Sequence, residues 1–209
     1  MEKDLEAKLV RVSQDLGEML EEVFQGFRKT CETSLQNVET SRNGVRKSSA
    51  ELMAFLVSRN SSTDTGGEQI KPYLSMATSY DRMAHSIEGI VNQLKRMIRE
   101  DIPFSDRAVK ELNEVFQETM DLVESLPDLI RTQDKLLVRQ TGKRGRASFK
   151  MANRFAEEHE ERLIQGVCMP KSSPIYLGIL ESLKGIMVHV LEVTGKIASL
   201  SAGHEPKSP

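Results

Sequence analysis

The sequence predicts an all-α protein of two antiparallel three-helix bundles packed side by side, and three observations carry that prediction. Apolar residues recur at steps of three and four through most of the 209 residues, the period of a helix with one buried face. The composition has no Trp, 5% aromatics and abundant Leu, Met, Glu, Lys, Arg and Gln, which favours helix over strand. The periodic segments are separated by clusters of Pro, Gly, Ser and Asp suited to turns and helix caps.

The first helix follows from Leu5, Leu9, Val12, Leu16, Met19, Val23 and Phe27, which fall on one face. A second runs from about Cys31 to Arg59 through Leu35, Val38, Val45, Leu52, Phe55 and Leu56, and ends at the polar stretch from Ser61 to Gly67. A third spans about Glu68 to Glu100 and admits Pro72 in a first turn, where backbone donors have no helical partner. Asp101 to Ser105 breaks the chain between halves, with Ser105 the N-cap of the next helix.

The second half repeats the scheme. A fourth helix runs from Ser105 to about Leu126 with Val109, Leu112, Phe116, Met120 and Val123. Ser125 to Asp128 reads as a capping box with Pro127 in the first turn, starting a fifth helix that continues to about Gln165 and stops at Gly166. Ser173 and Pro174 open a sixth, with Tyr176, Ile179, Leu180, Leu183, Ile186, Met187, Val190 and Ile197 on its apolar ladder. The third and sixth helices align at a constant offset, Tyr73 with Tyr176, Leu74 with Leu177 and Ser79 with Ser182, which reads as an internal repeat. Residues 1–200 are therefore expected to form one domain of two three-helix repeats, about 1–100 and 104–200, followed by a disordered tail over 201–209.

At 38% hydrophobic and 29% charged the chain reads as globular. Its longest apolar runs fall short of a membrane span, and its charged N-terminus has no signal-peptide core. The expected location is cytoplasmic. Cys31 and Cys168 lack C-x-x-C spacing and read as reduced, half-buried small residues. His85, His159 and His189 read as helix-surface or interface groups, with no Ser or Cys nucleophile beside them in sequence. No Walker-type glycine loop is present, and Gly66, Gly67, Gly142 and Gly145 are accounted for by a turn and a helix irregularity. No enzymatic activity and no cofactor are expected.

The feature with most functional promise is cationic. Arg131, Lys135, Arg139, Lys143, Arg146, Lys150 and Arg154 follow at steps of four or three, joined by Arg144 and opposed only by Asp134. On one continuous helix they form a stripe fit to meet an acidic partner or an anionic membrane, or simply a solvated face. A formal net charge of −2 and the lack of interleaved aromatics argue against nucleic acid.

The segment from Glu158 to His189 resembles the second half of a PhoU domain. That family's pattern, His-x-x-Arg-Leu-x-x-Gly-x-Cys-x-Pro followed by an apolar helix carrying Glu-Arg-Ile-Gly-Asp-His, is matched at His159, Arg162, Leu163, Gly166, Cys168, Pro170 and His189. The resemblance implies six helices in two bundles and a role as cytoplasmic regulator of phosphate uptake. The partner would be a phosphate transporter or its regulatory machinery, with self-association into a homodimer left open. The match around His159 to Pro170 looks closer to the domain fused to sodium/phosphate cotransporters. The family also places paired acids for metal on two helices of each bundle. Here the resemblance puts Asp81 and His85, with Arg42 and Arg46, at those positions in the first half, and Lys184 and Val188, with Gly145 and Phe149, in the second. Asp81 and His85 are the metal candidates that remain, and Asp81 is expected to pair with Arg46 instead. A metal-binding protein and a generic helical scaffold are the alternative readings.

Overall fold

The computed structural model describes residues 2–30, 32–60 and 66–202. Cys31, Ser61 to Thr65 and the tail from Gly203 onward lie outside them. The described residues fold into α1 (Lys3–Lys29), a 3-10 turn (Glu32–Leu35), α2 (Gln36–Asn60), α3 (Gly66–Arg99), α4 (Asp106–Glu124), α5 (Leu126–Thr132), α6 (Lys135–Ile164) and α7 (Ser173–Ala202). The first bundle is α1, α2 and α3, the second α4, α6 and α7, and the two lie side by side as expected.

Local chemistry sets most boundaries. α1 closes where Thr30 turns left-handed and its N–H reaches Gly26 O, with Arg28 and Lys29 opposite the negative end of the helix dipole. Ser105 caps α4 by accepting from Ala108 N at 3.3 Å. Gly166, at φ +70, ends the turn after α6 in a conformation that suits glycine.

Four local features differ from expectation. Gly66 and Gly67 open α3, so Pro72 lies inside the helix, beyond its first turn. Ser125 forms no capping box: its backbone is helical and its hydroxyl donates to Leu122 O at 2.7 Å. The predicted fifth helix is two helices, because Gln133 adopts a left-handed conformation that caps α5 and Asp134 Oδ1 accepts from Leu137 N at 2.7 Å to begin α6. Gly142 and Gly145 cause no irregularity in α6. Gly145 is instead a close-approach site, where a Cβ would stand 2.9 Å from Leu191 Cδ2 on α7.

The core is continuous across both bundles, and every apolar ladder residue predicted for the first helix is buried. α7 is long and apolar enough, by length and composition, to cross a membrane, contrary to the reading of its apolar runs. It sits between α3, α4 and α6, with Leu183, Ile186, Met187 and Val190 fully buried. Its most extensive contact is with α3 of the other bundle. There, small residues interlock in antiparallel register: Gly89 opposite Ser182, Gly185 opposite Ser86, Gly178 opposite Gln93. Ser79 Oγ donates to Glu192 Oε2 at 3.0 Å in the same register. The offset that aligns Tyr73 with Tyr176 carries Ser79 onto Ser182 and Gly89 onto Glu192, so these two contacts exchange under it.

Candidate functional site

At the end of the second bundle where α6 turns into α7, the residues singled out around His159 converge. Glu111 on α4 is 5% exposed. It accepts two hydrogen bonds from the Arg162 guanidinium on α6, at 3.1 and 2.8 Å, one from Arg107 Nε at 2.8 Å and one from the Tyr176 hydroxyl on α7 at 2.5 Å. Burial works against the Glu111 charge, but the bonds from Tyr176, Arg107 and Arg162 outweigh it and hold the carboxyl below the usual range. Burial, reinforced by the bond to Glu111, pushes the Tyr176 phenol up. Arg107 and Arg154 also meet Glu158, at 2.6 and 3.7 Å. One buried carboxylate thus ties three helices together.

His159 is 2% exposed, an interior residue and not a surface one. Its ring stacks on Tyr176 with centroids 4.4 Å apart. Nε2 lies 2.9 Å from Ser173 Oγ and Nδ1 lies 3.9 Å from Cys168 Sγ. Burial, then the nearby Arg162 charge, lower its pKa, so the ring is neutral at pH 7. No nucleophile adjoins this histidine in sequence, because Cys168 and Ser173 reach it across the turn between α6 and α7. A cavity of about 160 Å³ opens here, lined by His159, Cys168, Tyr176, Phe104, Ala108 and Met169 among others. His189 lies elsewhere, with Nδ1 2.8 Å from Glu192 Oε2, so the two histidines are not brought together.

The metal-family positions do meet in space, but with the wrong chemistry. Arg46, Asp81 and His85 line one cavity of about 600 Å³ between α2 and α3. The expected Asp81–Arg46 ion pair is absent among the described residues. Arg42 makes the crossing instead, with Nε 2.6 Å from Glu88 Oε1, and His85 leans toward the same Glu88 at 4.0 Å. In the second bundle Lys184 Nζ stands 5.7 Å above the Phe149 ring and 2.7 Å from Glu181. An ammonium over an aromatic face occupies the space between those two positions. Among the described residues no three His, Cys, Asp or Glu side chains gather as a ligand set. These positions do not fit a bound cation.

The cationic stripe is split by the break before α6. Arg131 belongs to α5, where its guanidinium meets Asp128 at 3.4 Å. Lys135 starts α6, and Arg144 is turned to Glu118 and Asp121 on α4. Arg154 is engaged by Glu158. What is left is Arg139, Lys143, Arg146 and Lys150, exposed on one face of α6 with no ion pair among the described residues. Leu136, 61% exposed, lies at the head of the helix.

No family model and no curated protein sequence matches the chain. Among solved structures, the phosphate transport system regulatory protein PhoU from Streptococcus pneumoniae matches with a TM-score of 0.82, over 98% of this chain and 97% of that one, at 10% identity. At that identity the likeness speaks for architecture, and the fold of this chain is that of PhoU.

Proposed function

We propose that this chain is a non-enzymatic regulatory module of phosphate uptake. It acts at the cytoplasmic face of the membrane through helix-surface contact with a phosphate transporter or its control machinery. In this reading residues 1–200 work as one domain of two repeats, either as the C-terminal domain of a sodium/phosphate cotransporter or as an accessory to one. Support comes from the PhoU fold and from the family pattern His159 to Pro170. The observation that carries the docking role is α6, which has no Asp or Glu from Lys135 to Ala156 and presents Arg139, Lys143, Arg146 and Lys150 unpaired. Such a one-signed face attracts acidic surfaces over about a Debye length, roughly 8 Å at physiological salt.

The test is binding of the folded chain to the cytoplasmic segments of a candidate phosphate transporter, measured against ionic strength. Affinity is expected to fall as salt rises and to drop about tenfold or more when Arg139, Lys143, Arg146 and Lys150 are all changed to Glu. A folded quadruple variant that binds as the parent does removes the docking role. Equal binding to anionic vesicles alone would assign the face to lipid, where each cation contributes about 1 kcal/mol. The alternative, a metal-binding protein using Asp81 and His85, requires tightly held metal that is lost in an Asp81→Ala, His85→Ala variant.

A further inference from the structure

The Cys168 thiol is unused by any role described so far, yet its surroundings are those of a nucleophile. Ser173 Oγ is 2.9 Å from His159 Nε2 and 3.4 Å from Met169 O. Met169 O already accepts from Ser172 Oγ at 2.9 Å and from Ser172 N at 3.1 Å, so Ser173 Oγ pairs chiefly with His159 Nε2, as donor or acceptor according to the ring's tautomer. In the tautomer with its hydrogen on Nε2, the Nδ1 lone pair faces Cys168 Sγ at 3.9 Å. Stacking on Tyr176 at 4.4 Å fixes the ring plane. The Arg162 guanidinium, anchored by Glu111, also engages the thiol. Cys168 therefore has, in that tautomer, a base within reach, a group that orients the base and a cation nearby. It is half-buried and opens on the cavity of about 160 Å³, whose Phe104, Ala108, Val167 and Met169 walls favour a small uncharged reactant.

We propose that Cys168 is a reactive thiol with His159 as its base, and that its oxidant is a small hydroperoxide. The thiol proton passes to His159 Nδ1. A sulfur lone pair forms an S–O bond to the terminal peroxide oxygen as the O–O bond breaks, so sulfur is oxidised by two electrons to sulfenic acid and the peroxide is reduced. The departing hydroxide or alkoxide takes the proton from His159 and leaves as water or alcohol. The new oxygen stands against His159, between α6 and α7, next to the bonds that hold Glu111.

The experiment uses the full chain carrying Cys31→Ser, so that one thiol remains. It is treated with hydrogen peroxide at pH 7, and sulfenic acid is trapped with a 1,3-dione and followed by intact mass. Native Cys168 is expected to react about tenfold or more faster than N-acetylcysteinamide, and to lose that advantage when the chain is unfolded in urea. His159→Phe keeps the stack on Tyr176 and removes the base, and should lower the rate about tenfold. A native rate no greater than that of the unfolded chain overturns the proposal, as does a folded His159→Phe variant that reacts as fast as its parent. If that variant does not fold, the native and unfolded comparison decides by itself.

Discussion

Replacing Arg162 with Met tests how the Glu111 network holds the second bundle together. The Glu111 and Arg162 side chains are 7% and 11% exposed, and two of the four hydrogen bonds to Glu111 come from Arg162. Breaking a buried pair by removing one member costs about 3–5 kcal/mol when the other charge is left bare. Glu111 would keep Arg107 and Tyr176, and Arg107 is 56% exposed and solvated. The expected cost is therefore about 2–3 kcal/mol, or roughly 5–10 °C in Tm for a chain of this size. Circular dichroism during heating and urea titration measure it. Adding Glu111→Leu removes the stranded charge, and the double variant should recover about 1 kcal/mol relative to Arg162→Met, short of full recovery because Tyr176 loses its acceptor. Acid gives a second reading of the same bond. Because the folded pKa of Glu111 is depressed, its contribution is fully present above the unfolded value of about 4.3 and fades as pH falls through the folded value. The gap between parent and Arg162→Met should therefore narrow below about pH 4. A Tm change under about 2 °C, or a gap that widens in acid, would refute the reasoning.

Leu183 is fully buried on α7, so Leu183→Ala should cost about 2–5 kcal/mol and lower Tm by several degrees in a calorimetric scan. Gly195 and Gly178 should respond to Ala with opposite signs in urea titrations. A Cβ at Gly195 meets nothing within 4 Å, so the gain in helix propensity of about 0.5–1 kcal/mol is realised there. At Gly178 the Cβ would lie 2.8 Å from Gln93 Nε2, and displacing that side chain makes the change unfavourable. Elemental analysis of purified protein should find no stoichiometric iron or zinc, because Lys184 over Phe149 and Arg46 beside Asp81 supply positive charge where a ligand set is required.

The fold was legible because its period and punctuation agree. The Leu5 to Phe27 ladder, the Ser105 cap and the stop at Gly166 all stand where the residues place them. The break at Gln133 was not, because Arg131 and Lys135 keep the helical step of four on either side of it and hide the start signal of Asp134. The site was legible only in part. The pattern from His159 to Cys168 is local in sequence, yet its chemistry depends on Glu111 from α4 and on Ser173 and Tyr176 from α7, whose approach no local spacing reveals. Arg144 read as one of the stripe's cations until α4 was seen to supply its acids.

The interlocked contact of α3 with α7 has a kinetic side. Ser79 and Glu192 are separated by 113 positions, so α3 meets a partner helix that is made last. A long chain segment must close before this surface is covered, which slows the search for the native state and makes its completion all-or-none. During synthesis the first bundle would emerge with the Ser79, Ser86, Gly89 and Gln93 face of α3 uncovered until α7 arrives. A fragment ending near Ile102 should accordingly be loose and prone to aggregate, and refolding of the whole chain should show one cooperative phase instead of one for each bundle.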